Sequence, residues 1–408
     1  MSGLSRDFWT FWTGQSISAF GSSITQFALP LLVFQLTGSA LDLGLAVVAF
    51  TLPYLLFGLV IGAWTDRLDR KRLMIVTDVG RALVVGSIPL AAATGVLSVW
   101  WIYAVLFASS TLGIFFDAAE FGAVPALVSR DDLVTANGRI QASFSTAWIA
   151  GPLAGGALLG VISLPALVTF DAVSFLVSAI SIALIRRELH APRTAGRSHI
   201  RADIAEGLRY VIRHPVLRNI SAMMALVNFV GTTTFAQLVL FAKTRFAATD
   251  TEVGLLFSAG GVGVAVLSLA AGPLRKRWSF GPVALGALML GGLLIVAMAI
   301  VPSYPAVVVI WAMRAGLGTL FNINTGSLRQ SFVPEHMLGR IISVAMVLAW
   351  SANPLGALLG AFAIERTGDV ALVYGVVGAL TFAIALSFYL FSPLGRAERY
   401  LAADARPA

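Results

Sequence analysis

The chain has 408 residues, 58% of them hydrophobic and 12% charged, whereas a soluble domain carries roughly a quarter charged residues; an ordinary water-soluble enzyme is excluded. There is no cysteine, so no disulfide, thiolate metal site or cysteine nucleophile is available. The histidines His190, His199, His214 and His336 lie in charged connections and form no catalytic or metal-binding cluster.

A membrane-spanning helix needs about 20 apolar residues, and apolar runs between charged or Gly/Pro breaks predict twelve. In the first half they fall at 11–36, 40–64, 73–96, 100–124, 138–161 and 165–186. The short lead from Met1 to Asp7 has no cleavage site, which makes the first span a retained helix. Gln15, Ser18, Ser22 and Gln26 give it a polar stripe in place of a carboxylate. After the second span, Gly62, Asp66, Arg67, Asp69, Arg70, Lys71 and Arg72 make a tight turn followed by a cationic run. Asp78 and Arg81, three residues apart, share one face of the third span and should form an ion pair. Asp117 and Glu120 share one face of the fourth, in line with Ser110 and Gly113. A charge inside a span costs about 3 kcal/mol by insertion scales, so the two carboxylates are the leading functional candidates. In the fifth span, Pro152 removes a backbone hydrogen bond while Gly151, Gly155 and Gly156 allow another helix close. Asp171 reads as a structural polar anchor of the sixth.

The connection from Arg187 to Leu217 separates the halves. Ile200, Ile204, Leu208 and Ile212 recur every fourth residue there, which predicts an amphipathic helix along the membrane surface. The second-half spans fall at 219–242, 251–273, 281–301, 305–328, 340–364 and 370–391. This divides the chain into an N-terminal bundle (1–187), a linker (188–217), a C-terminal bundle (218–392) and a tail (393–408).

The net charge of +8 reflects orientation. Only Lys243, Arg245 and Arg366 lie in connections on the outer side, and Arg81 and Arg314 lie within spans; the other basic residues fall in segments on one side, which places both termini in the cytoplasm. No nucleic-acid partner is needed. The halves also repeat. Leu112, Gly113, Phe116 and Asp117 match Leu317, Gly318, Phe321 and Asn322, Val128 matches Val333, and the run Gly156 to Gly160 recurs unchanged as Gly356 to Gly360.

The turn at Gly62, Asp66, Arg67, Arg70 and Lys71 resembles the loop between helices two and three of the major facilitator superfamily, with Trp64 and Asp69 departing from its pattern. Gly138, Ala147, Gly151, Pro152, Gly155 and Gly156 resemble the antiporter motif of its drug exporters. Arg6, Trp9, Gly14 and Gln15, the run Ala28 to Pro30, Asp78 with Arg81, and the run Asp171 to Phe175 resemble the branch that includes macrolide efflux proteins and the enterobactin exporter. The resemblance covers nearly the whole chain. It implies an all-α membrane protein of twelve transmembrane helices in two pseudo-symmetric six-helix bundles. Asp66 would then lock a gating loop, Asp78 and Arg81 would belong to a charge relay, and span four would face the central cavity. Asp117 and Glu120 would there carry protons, or one of them would pair with Arg67 or Arg81 in the relay. Drug antiporters often carry an arginine in span four where this chain has Ser109; the equivalent arginine appears in the second repeat as Arg314.

A cavity mixing aromatic faces and amides suits bulky amphipathic molecules, and Gln26, Phe116, Asn228, Thr232, Gln237, Arg314, Phe321, Asn322 and Asn324 are its expected lining. These residues point to a non-enzymatic secondary transporter of the cell membrane, working as a monomer. It would export drugs, antibiotics or secondary metabolites by proton antiport and so confer antibiotic resistance, with no metal or cofactor. On the same fold it could import or flip a lipid, peptide or nutrient. A transport-inactive sensor or scaffold is the alternative of another class.

Overall fold

The structure is a computed structural model that describes residues 4–65, 68–129, 132–189, 200–333, 341, 345, 347–397 and 399–400, with only the backbone of residues 59, 62, 63 and 200–204. The described residues are almost entirely helical. Six long helices make up the first half: α1 (Arg6–Thr37), α2 (Ala40–Thr65), α3 (Arg70–Ala93), α4 (Val99–Leu127), α5 (Leu133–Leu158) and α6 (Leu164–Leu184). The linker holds α7 (Ile200–Arg213). In the second half lie α8 (Pro215–Ala236), α9 (Leu238–Phe246), α10 (Asp250–Arg277), α11 (Gly286–Ile300, entered through a π-helical turn at Gly281–Leu285), α12 (Tyr304–Phe332), α13 (Asn353–Thr367) and α14 (Val370–Phe391).

Side-chain caps set several starts: Ser5, Asp69, Ser98 and Ser163 each accept a hydrogen bond from a backbone N–H three residues on. Among the described residues, ten helices are long and apolar enough to cross a membrane, or eleven when α8 and α9 count as one span. The helix α5 is not among them, because its first half carries Thr135, Asn137, Arg139, Gln141 and Ser143. Large apolar side chains such as Leu83, Leu90, Leu269 and Phe391 stand exposed, as a lipid-facing surface requires.

Three elements differ from the sequence expectation. The first span starts five residues earlier, at Arg6, because Phe8 and Phe11 are fully buried and pull the amphipathic entry into the helix. The expected single span 219–242 is broken at Gln237, where α8 and α9 meet at 47°. Of the expected span 340–364, residues 340, 342–344 and 346 lie outside the described residues; from Val347 the span runs to Thr367, three residues further than expected.

The helices gather into two compact units: the described residues of Met1–Gly196 with Ala248–Ser258, and those of Arg197–Ala247 with Ala259–Ala408. In the first unit α1 packs on α5 and α6, α3 on α4 and α6, and α2 on α4. One of its apolar clusters centres on Phe8, Phe11, Met74, Phe116 and Ile182. In the second, α11 packs on α12 and α14, and α8 on α13 and α14, around Val216, Ile220, Phe280, Phe321 and Phe332.

Close helix approaches fix the register of the repeat. A Cβ on Gly151 or Gly155 would strike Ser23 or Phe27 of α1, and one on Gly356 or Gly360 would strike Phe229 or Thr233 of α8. The spacing from Gly151 to Gly356, 205 residues, equals that from Asp117 to Asn322. Gly151 and Gly155 are therefore the structural counterparts of Gly356 and Gly360. The identical run beginning at Gly156 is one of composition, offset by a turn.

Gly356→Val is expected to lower stability by about 1–3 kcal/mol, since the obstacle is the backbone of Phe229 and no rotamer relieves it. Gly318→Ala, whose Cβ meets nothing within 4 Å, should be near neutral. Thermal unfolding of the purified variants checks both.

Candidate functional site

In the first unit, α4 carries Asp117 and Glu120 on one face. Asp117 is exposed, with the Tyr54 hydroxyl of α2 directed at its Oδ2 from 3.5 Å. Glu120 is half-buried, and its Oε1 is buried with no hydrogen-bond partner among the described residues.

Behind them lies a buried polar network. Asp78 of α3 is fully buried. It accepts a 2.5 Å hydrogen bond from Ser178 of α6, whose hydroxyl accepts one of 2.7 Å from Gln15 Nε2 of α1. Arg81 approaches Asp78 to 3.9 Å and lies 4.0 Å above the Phe175 ring. Besides Asp78, its guanidinium acts electrostatically on Asp117, Glu120, Asp171 and Tyr54. Asp171, also buried, accepts from Ser22 at 3.0 Å and from Ser174 at 3.3 Å.

Asp78, Asp117, Glu120 and Asp171 thus have the guanidinium of Arg81 in common. All four ionised would leave an excess of negative charge in a low-dielectric medium, which is costly. The polar stripe of α1 is mostly spent on this network: Gln15 and Ser22 bond to α6, Ser18 is buried, and Gln26 alone is exposed.

Arg81→Gln removes the cation from the cluster and is expected to destabilise the protein by about 3–5 kcal/mol. The double substitution Asp78→Asn/Arg81→Gln should recover part of that loss. Melting temperatures of the two single variants and the double variant give the coupling.

The basic run after α2 ties helix ends together. Arg70 Nη1 donates to the Gly122 carbonyl of α4 at 2.9 Å. Lys71 Nζ donates to the carbonyls of Ile185 at 2.6 Å and Ala183 at 3.1 Å, at the end of α6, where the helix dipole favours a cation. Asp69, a departure from the family pattern, caps α3 by accepting from Arg72 N at 3.1 Å. Asp66 and Arg67 lie outside the described residues, and Gly62 is described only as part of the α2 backbone.

The antiporter-like segment of α5 forms a tight crossing inside the same unit. Besides Gly151 and Gly155 against α1, Gly156 faces the first turns of α10: its Cβ would lie 3.2 Å from Gly254 Cα, and one on Gly254 would lie 2.6 Å from the Pro152 carbonyl. Thr251 Oγ1 donates to the Gly156 carbonyl at 2.8 Å, and Phe27 meets Phe257 edge-on at 5.8 Å. Ala147 is buried, whereas a Cβ on Gly138 would meet nothing.

The expected cavity residues divide by exposure. Asn322, the repeat counterpart of Asp117, is exposed like it. Phe116 and Phe321, also counterparts, are both packed in apolar cores. Asn324 is buried and donates to the Leu320 carbonyl of its own helix at 2.7 Å, and Asn228 donates to the Ala349 carbonyl at 2.8 Å. Gln237 is buried at the α8–α9 break, and Thr232 is half-buried. Arg314 is half-buried, 5.2 Å over Trp311 and beside Gly231.

Tyr54 and Ser178 escaped the sequence reading. Each sits in an apolar run far from its partner, and only the pairing of α2 with α4 and of α3 with α6 exposes the link.

The model of the transmembrane secretion effector family matches residues 3–404. The chain is 32% identical over 355 residues to multidrug efflux pump Tap of Mycolicibacterium fortuitum, covering 83% of this chain and 84% of that one. It is 27% identical to macrolide efflux protein A of Streptococcus pyogenes, covering 88% and 90%. Among solved structures, the nucleoside transporter NupG superposes with a TM-score of 0.78 at 13% identity, over 94% of this chain and 98% of that one. A bacterial homologue of the human lysosomal transporter Spinster, inward-facing and unoccupied, gives 0.74 at 13% identity over 98% of each. With a multi-pass all-helical fold, both relatives and structures of one kind, and a family model spanning nearly its whole length, the chain belongs to the transmembrane secretion effector family of major facilitator superfamily transporters.

Proposed function

We propose that the protein exports hydrophobic or amphipathic small molecules across the cell membrane by proton antiport and alternating access, with both termini in the cytoplasm. Asp117 and Glu120 take up protons from the outer side and release them inward. The observation that carries this reading is the exposed Asp117 on α4 beside Glu120, whose Oε1 has no hydrogen-bond partner among the described residues, with Arg81 common to both and to Asp78 and Asp171. The relatives named for multidrug and macrolide efflux support the direction and the substrate class.

The locking of a gating loop by Asp66 belongs to the same proposal, as does a lining that includes Gln26, Asn322 and Arg314. Accumulation of macrolides and dyes in energised cells, with and without a protonophore, tests it. Expressing cells should accumulate less compound, and the protonophore should remove the difference; accumulation that the protonophore leaves unchanged contradicts proton coupling.

A further inference from the structure

Where α7 meets α8, a cleft of about 420 Å³ is lined by Glu206, Arg209, Tyr210, Arg213, His214 and Pro215. It sits level with the ends of two spans: Pro215 opens α8, and Tyr210 donates a 2.9 Å hydrogen bond to the carbonyl of Phe332, the last residue of α12. The ring of His214 lies 4.8 Å from that of Phe332, and Val211 is buried in the core of the second unit. The end of α7 is therefore fixed to the ends of two spans, with Ile212 exposed beside the cleft.

Arg209 and Arg213 stand one turn apart, both exposed, and neither makes an ion pair or hydrogen bond among the described residues. We propose that this cleft binds the phosphodiester headgroup of an anionic phospholipid, with Arg209 and Arg213 on the phosphate. The lining carboxylate of Glu206 disfavours a free dianion relative to a singly charged phosphodiester.

Native mass spectrometry of the full-length protein with phosphatidylglycerol, phosphatidylcholine or inorganic phosphate tests the assignment. Arg209→Gln/Arg213→Gln should weaken phosphatidylglycerol binding roughly 30-fold, as expected for two cations near a membrane surface. Arg209→Lys/Arg213→Lys should keep most of the binding, which separates lost charge from misfolding. Arg275→Gln/Lys276→Gln removes the same charge at the end of α10 and should change little. Equal losses in the two Gln pairs, no preference of the wild type for phosphatidylglycerol over phosphatidylcholine, or displacement of the lipid by inorganic phosphate would each overturn the proposal.

Discussion

Asp117→Asn is expected to abolish protonophore-sensitive export while leaving the protein folded and inserted. The amide is nearly isosteric and keeps a partner for the Tyr54 hydroxyl, and Asp117 belongs to no buried apolar cluster, so packing survives. What disappears is the alternation between charged and neutral forms. An ionised group within a span costs about 3 kcal/mol, which corresponds to roughly a 100-fold bias between two transporter states. A permanently neutral residue removes that bias, and export should fall by about that factor or to background. Glu120→Gln should act in the same direction. Its carboxylate has one oxygen without a hydrogen-bond partner among the described residues, so the near-isosteric amide gives up no bond there and the fold should persist. Efflux rates normalised to membrane-inserted protein check both variants; full protonophore-sensitive efflux in both would assign the two carboxylates to structure.

Gly254→Val is expected to be as damaging for a different reason. Its Cβ would lie 2.6 Å from the Pro152 carbonyl and 3.0 Å from Gly156 Cα. Both obstacles are backbone atoms, so relief requires the start of α10 to move away from α5, losing the Thr251 bond to Gly156 and the Phe27–Phe257 contact. Overpacking of this kind costs about 1–3 kcal/mol, enough to cut transport roughly 10- to 100-fold if the crossing forms during the cycle. Gly254→Ala should show a smaller loss. Gly113→Ala, on a face of α4 where a Cβ meets nothing within 4 Å, should transport normally. Equal activity of Gly254→Val and the wild type would remove the crossing from the mechanism.

The fold was legible because apolar runs of span length alternate with charged connections, and a charge within a run is rare enough to stand out. That rarity directed attention to Asp78, Arg81, Asp117, Glu120 and Asp171. Their partners were not legible: Ser178 lies 100 residues from Asp78, and Tyr54 lies 63 from Asp117, with only helix packing joining them. The break at Gln237 was hidden because no glycine or proline marks it. The identical runs at Gly156 and Gly356 misled because small and branched apolar residues recur by composition, whereas the packing partners of Gly151 and Gly356 set the true register. The cationic run after α2 read as a gating loop, and the described part of it acts as a staple on the ends of α4 and α6.

Coupling of substrate movement to proton movement is the central claim, and purified protein in proteoliposomes tests it most directly. A transported macrolide or dye, added with no imposed gradient, should drive an opposite proton flux reported by a pH-sensitive dye trapped in the lumen, and Asp117→Asn should abolish that flux. Substrate movement at the wild-type rate with no change in lumenal pH would contradict the account.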